Sequence, residues 1–124
     1  MSTLTVTNIQ ATGETASRAV SGVAAAWVNF NGTGTVAIRG SGNVSSITDN
    51  GTGKYTVNFA TAMPDTNYSA VGITSWNLTD ATSYNHSVVV DESSLPSTSG
   101  LDIGTKRSDG TSDDRNYVAI SVFR

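Results

Sequence analysis

Short runs of alternating apolar and polar residues, separated by Gly, Asn and Asp, recur along this chain and point to β-structure throughout. In Lys54-Tyr55-Thr56-Val57-Asn58-Phe59, the residues Tyr55, Val57 and Phe59 share one face while Lys54, Thr56 and Asn58 share the other. The preceding Asp49-Asn50-Gly51-Thr52-Gly53 is a turn cluster in which Asn-Gly is expected to supply the positive-φ residues of a hairpin. Ahead of it, Val44-Ser45-Ser46-Ile47 is the expected pairing strand, giving a hairpin over about 43–60.

The same logic places further strands. Ala24–Asn31 sets Ala26, Val28 and Phe30 against Ala25, Trp27 and Asn29, and a turn at Asn31–Gly34 leads into Thr35–Arg39, where Val36 and Ile38 share a face. Tyr68–Trp76 is long enough to cross a sheet. The three consecutive valines in Ser87–Asp91 predict burial on both faces. Leu101–Thr105 reads as a short edge strand. Tyr117–Phe123 points Val118, Ile120 and Val122 inward, yet Tyr117, Ala119 and Phe123 leave its other face apolar too. Such a strand is either central in a sandwich and covered on both sides, or part of a subunit interface. Strands at this spacing, with turn chemistry between them, indicate an all-β antiparallel β-sandwich, jelly-roll-like or Ig-like. Residues 1–23 lack a clean period and read as an N-terminal arm or stem, with one helical turn at Thr15–Val20, so residues 24–124 form the sandwich domain.

Composition sharpens the picture. Leu, Ile, Val and Phe together number 26 of 124, close to the ~20% level at which disorder becomes a reasonable expectation. Only 14% of residues are charged and the net charge is −3, so the chain lacks the self-repulsion of a disordered one. A thin core in an ordered chain predicts help from subunit contacts. With no Cys, a disulfide scaffold, a thiolate zinc site and thiol catalysis are excluded. Seven Lys and Arg spread along the sequence make no phosphate-tracking stripe, so no nucleic-acid partner is expected. No apolar run approaches the ~18 residues of a membrane span, and Met1–Val6 has neither the basic nor the apolar region of a secretion signal. A soluble protein made and folded in cytoplasm is expected.

Candidate chemistry is sparse. His86 is the only histidine, and without a G-x-S-x-G elbow it reads as a surface or binding-loop imidazole rather than a catalytic base. Asp109–Asp114 lacks the ligand spacing of a calcium loop and reads as a solvated loop, with Asp113 and Asp114 near Lys106, Arg107 and Arg115. The two glutamates, Glu14 and Glu92, fall in the arm and a loop and do not make a glycosidase pair. Six N-x-[ST] sequons coincide largely with turns that favour Asn anyway. No catalytic residue, cofactor or metal is assigned. The aromatics carry the binding potential. Trp27 is core or interface. Trp76 either caps the core or opens a polar loop, Asn77–His86, that also holds Tyr84. A partly exposed Trp or Tyr beside Asn, Asp and His suits a saccharide, which offers both C–H faces and hydroxyls.

The run Ala26-Trp27-Val28-Asn29-Phe30-Asn31-Gly32-Thr33-Gly34-Thr35-Val36-Ala37-Ile38-Arg39, continued by Asn43–Gly53, Tyr55–Phe59, Ala62–Asp65 and Asn67-Tyr68, resembles the C-terminal β-rich module of tail-fibre and related virion fibre proteins of tailed bacteriophages. The resemblance covers about residues 15–70. It implies a homotrimeric tip on a fibre stem, in contact with other virion proteins and with a host-surface glycan or protein, located in the virion and without catalytic residues. Fibre proteins usually carry a long N-terminal attachment region, whereas here only about 23 residues precede the module. A capsid decoration protein docking through residues 1–23 is therefore the alternative. Recognition is expected in the loops Asn77–His86 and Lys106–Asn116, at Trp76, Asn77, Tyr84, Asn85, His86, Arg107, Asp109 and Arg115. The oligomer interface is expected at Trp27, Tyr117 and Phe123.

Overall fold

Two antiparallel four-stranded sheets pack face to face in a computed structural model that describes residues 2–10, 12, 18, 19, 23–75, 85–91 and 93–124. The arm contributes β1 (Asn8–Ile9) and β2 (Arg18–Ala19), paired antiparallel outside both sheets. Arg18 and Ala19 are thus extended where a helical turn was expected. The rest of Thr15–Val20 lies outside the described residues. The sandwich comprises β3 (Ala26–Asn31), β4 (Ala37–Gly42), β5 (Val44–Gly51), β6 (Lys54–Phe59), β7 (Ser69–Thr74), β8 (His86–Val90), β9 (Gly100–Arg107) and β10 (Val118–Phe123). One sheet has the order β4-β3-β10-β7 and the other β5-β6-β9-β8. Strands β7 to β10 follow a Greek-key path through the two sheets, since β10 returns beside β7.

Alternation builds the core. Val28, Phe30, Val118 and Val122 from the first sheet meet Tyr55, Val57, Leu101 and Ile103 from the second, all 2% exposed or less. Phe30 and Tyr55 pack edge to face with centroids 5.2 Å apart, a favoured aromatic geometry. The chain changes sheet between β4 and β5 through one residue, Asn43, whose φ of 54° lies in the left-handed region. Its side chain donates to the carbonyls of Ala25 and Thr61, both at 3.1 Å, and accepts from the Thr61 N–H at 2.7 Å. A side chain that tolerates this backbone and binds three main-chain groups fixes the corner.

Several expectations are corrected. The residues predicted as a short edge strand, Leu101–Thr105, belong to an eight-residue inner strand, β9, bonded to β6 on one side and β8 on the other. The valine run predicted to be buried on both faces is instead the edge strand β8. Val88 packs against the core while Val89 and Val90 are 37% and 42% exposed. At the turn of the 43–60 hairpin, positive φ falls on Gly51 and Gly53 and not on Asn50, which continues β5. The strand expected at Thr35–Arg39 is displaced to Ala37–Gly42, and β3 and β4 lose register between Asn29 and Phe30. β10 is an inner strand of its sheet, but only one of its faces is covered, not both as the central-strand reading required. Its inner face is buried, whereas Tyr117, just before it, is 38% exposed on the opposite side.

Candidate binding site at the loop end of the sandwich

The registers sort every connection to one end or the other. Strands β3, β5, β7 and β9 run toward one end, and β4, β6, β8 and β10 run back. Loops 32–36, 52–53 and 108–117, with Ser75 and Asn85, therefore share one end, while residues 23–25, where the arm joins, and Arg124 lie at the other. The loop 106–116 singled out in the sequence lies at this end, as do Asn85 and His86, while the rest of Asn77–His86 lies outside the described residues.

Tyr55 is the post beneath that end. Its buried hydroxyl donates to Asp114 Oδ1 at 2.8 Å and lies 3.0 Å from the Gly32 carbonyl oxygen. Burial, then the hydrogen bond and charge of Asp114, push this hydroxyl well above the usual phenol range. The N–H of Gly53 also donates to Asp114 Oδ1, at 2.7 Å. Gly53 has φ +64°, and a Cβ there would lie 2.5 Å from the Asp113 nitrogen and 2.8 Å from the Thr105 carbonyl oxygen. Only glycine lets the β5–β6 turn approach the 108–117 loop so closely. Asp113 is tied to β9 in turn, its N–H donating to the Thr105 carbonyl at 3.1 Å while its own carbonyl accepts from Thr105 Oγ1 at 2.5 Å.

Around Asp113 the structure gathers three of the predicted recognition residues. Arg107 Nε donates to Asp113 Oδ2 at 3.0 Å, Arg115 Nη2 binds the same oxygen, and His86 Nε2 lies 3.6 Å from it. Arg115 Nη2 also contacts His86 Nε2. Among the described residues, His86 Nδ1 and Arg115 Nε are buried without a hydrogen-bond partner. His86 and Arg115 are thus interior residues, their side chains 4% and 5% exposed, where a surface imidazole and a solvated loop were expected. The reason is topological. His86 and Arg107 are register partners on β8 and β9, and Arg115 folds back over both.

The other predicted residues are dispersed. Asn85 is exposed immediately before β8. Asp109 is exposed in the turn after β9, where the Thr111 backbone N–H holds its carboxyl below the usual range. Trp76, Asn77 and Tyr84 lie outside the described residues. Trp27, Tyr117 and Phe123 all belong to the outer face of the β4-β3-β10-β7 sheet. Trp27 is 44% exposed, with its indole lying over Gly40 and Gly42, where a Cβ at Gly42 would come within 2.4 Å of Nε1. Val71 and Ile73, 58% and 65% exposed, extend the apolar face across β7.

One residue that sequence reasoning passed over completes the site. Between the paired rows Asn29–Gly40 and Phe30–Ile38, Arg39 is the extra residue of a β-bulge, a device that re-aims a side chain. Its guanidinium reaches across β3, donating from Nη1 to Asn29 Oδ1 at 3.3 Å and from Nη2 to the carbonyl and Oδ1 of Asn116 at 2.7 and 2.5 Å. It lies 5.9 Å over the Tyr117 ring, within cation–π range. Arg39, Tyr117, Thr33, Ser75, Asp114, Arg115 and Asn116 line a groove of about 630 Å³. The sequence signal was faint: a lone charge ahead of Gly40-Ser41-Gly42. Among the described residues no cluster of His, Asp or Glu could hold a metal. Comparison with protein-family models, curated proteins and solved structures gave no match.

Proposed function

We propose that this chain is a non-enzymatic structural protein of a bacteriophage virion, a trimeric receptor-binding tip that recognises a glycan or protein on the host surface. The supporting observation is the polarity of the domain. The arm joins at one end, and the loops with the charged, aromatic and amide side chains cluster at the other. A tip hung by its arm presents those loops outward. The run that resembles fibre modules forms β3 to β6, the half of the sandwich that includes the Asn43 corner. In a trimer, Trp27, Val71, Ile73 and Phe123 provide an apolar surface for subunit contact. Tyr117, which borders the groove, serves recognition more than assembly. Three weak sites on one tip reinforce one another through effective concentration, by roughly 10²–10⁴-fold.

Capsid decoration is the second reading, favoured by the exposed apolar residues of the arm, with Leu4 at 85% and Ile9 at 43%. Labelled protein incubated with a panel of intact bacteria, with lipopolysaccharide as competitor, separates the two. Competed cell binding supports the tip, whereas affinity for capsids with no cell binding supports decoration. Sedimentation at low micromolar concentration addresses assembly. The native chain is expected as a trimer and the Val71→Lys/Ile73→Lys variant as a folded monomer. A well-structured native monomer overturns both readings.

A further inference from the structure

We propose that the groove between Arg39 and Tyr117 binds a carboxylate-bearing saccharide, a ligand class that deepens, and rests on, the receptor-binding reading above. Charge is the first ground. Arg107 and Arg115 share the carboxylate of Asp113, but among the described residues Arg39 meets only neutral acceptors, the side chain of Asn29 and the carbonyl and side chain of Asn116. Among the described residues, those contacts leave its Nε–H and one Nη1–H without an acceptor, while fixing the plane of the guanidinium in advance. A carboxylate takes such donors in charge-assisted hydrogen bonds, the strong class for this pair of groups. Counting Arg39 and Arg115 against Asp114, the groove lining carries net +1 (two positive, one negative) in a chain of net charge −3. Adding Arg107 and Asp113 behind it leaves that sign unchanged.

Shape and polarity are the second ground. Tyr117 is 38% exposed and offers apolar ring surface to the C–H groups of a pyranose. Thr33, Ser75 and the side-chain amide of Asn116 supply hydroxyl and amide groups for the ring hydroxyls. The opening is of small-ligand size at about 630 Å³, and it lies at the end away from the arm. Asp114 is already included in that count, and among the described residues it is not paired with Arg39: its Oδ1 accepts from the Gly53 N–H and the Tyr55 hydroxyl. The bulge matters most. It turns Arg39 across the sheet to the side chain of Asn116, an arrangement the core does not require.

The test uses the full chain labelled with ¹⁵N. Methyl glucuronide, methyl galacturonide and the methyl glycoside of N-acetylneuraminate are titrated beside methyl glucoside and methyl galactoside, with sodium acetate as the anion control. An acidic glycoside is expected to shift the Arg39 Nε–H, the Asn116 side-chain amide and the Tyr117 amide, and to bind about tenfold tighter than its neutral counterpart. Arg39→Met is expected to abolish that preference at unchanged melting temperature. Equal binding of acidic and neutral sugars, an acetate response as large as the glycoside response, or a preference that survives Arg39→Met overturns the proposal, as does absence of binding. Host-cell binding, measured in parallel, separates the two levels. Cells bound equally by native protein and Arg39→Met sink the acidic-saccharide site and leave the receptor reading standing. A titration that succeeds with no cell bound sinks the receptor reading alone.

Discussion

Removing a single oxygen from Tyr55 tests whether the loop end stands on the Tyr55–Asp114 contact. In Tyr55→Phe the ring, and its edge-to-face packing on Phe30, are retained, while Asp114 Oδ1 loses the hydroxyl and keeps the Gly53 N–H at 2.7 Å. A buried hydrogen bond to a charged group is worth about 1.5–3 kcal/mol net, so a loss of about 2 kcal/mol is expected. For 124 residues at ~2.1 cal/mol/K per residue, the unfolding entropy is about 0.26 kcal/mol/K, and the melting temperature falls by about 8 °C. The pH dependence carries its own signature. The hydroxyl is raised in the folded state, first by burial and then by Asp114. Its contribution is therefore fully present below the unfolded phenol value of about 10, and it disappears as pH rises through the folded value. The gap between native protein and Tyr55→Phe thus narrows from pH 8 to pH 11. Circular dichroism melts at one fixed protein concentration read both effects, since self-association makes melting concentration-dependent. Tyr117→Phe, at a half-exposed ring, is the control and is expected to leave the melt unchanged. A shift under about 2 °C for Tyr55→Phe at neutral pH, or a gap that stays constant to pH 11, refutes the role given to this contact.

Two further substitutions probe backbone positions by urea unfolding. Gly53→Ala combines a φ of +64° with a Cβ 2.5 Å from the Asp113 nitrogen and is expected to cost about 3 kcal/mol or more. Gly34→Ala, at the similar φ of +61° but with a Cβ in open space, costs clearly less, and equal losses at the two glycines contradict the close approach of the 108–117 loop. Asn43→Ala loses three main-chain contacts and keeps the left-handed backbone, for about 3 kcal/mol. Asn43→Gly, freed of the strain, is expected to be the milder of the two, and the reverse order refutes the corner assignment.

Much of the sandwich was legible along the chain because strand alternation is a local property. Lys54–Phe59, Ala26–Phe30 and Val118–Val122 each declare an inward face by period two, and the Asp49–Gly53 cluster declares the turn between its neighbours. Lateral order was not legible. Leu101–Thr105 looked too short for an inner strand and Val88-Val89-Val90 too apolar for an edge, yet they occupy the opposite positions. Hydrogen bonding to two neighbours, and cover from the facing sheet, decide a strand's place, and neither is written in its own residues.

The recognition end divides in the same way. Loop chemistry pointed to 106–116 and to His86, since charged and amide residues crowd there between strands. Tertiary structure withdrew His86 and Arg115 into the interior around Asp113 and brought forward Arg39, distant in the chain, through a bulge and the side chains of Asn29 and Asn116. The sequence by itself determined that this chain forms short antiparallel strands with turns at known places, because backbone conformation and side-chain polarity act over two to four residues. Which side chains share a groove was settled only when eight strands found their order, because that depends on contacts between residues as far apart as Arg39 and Asn116.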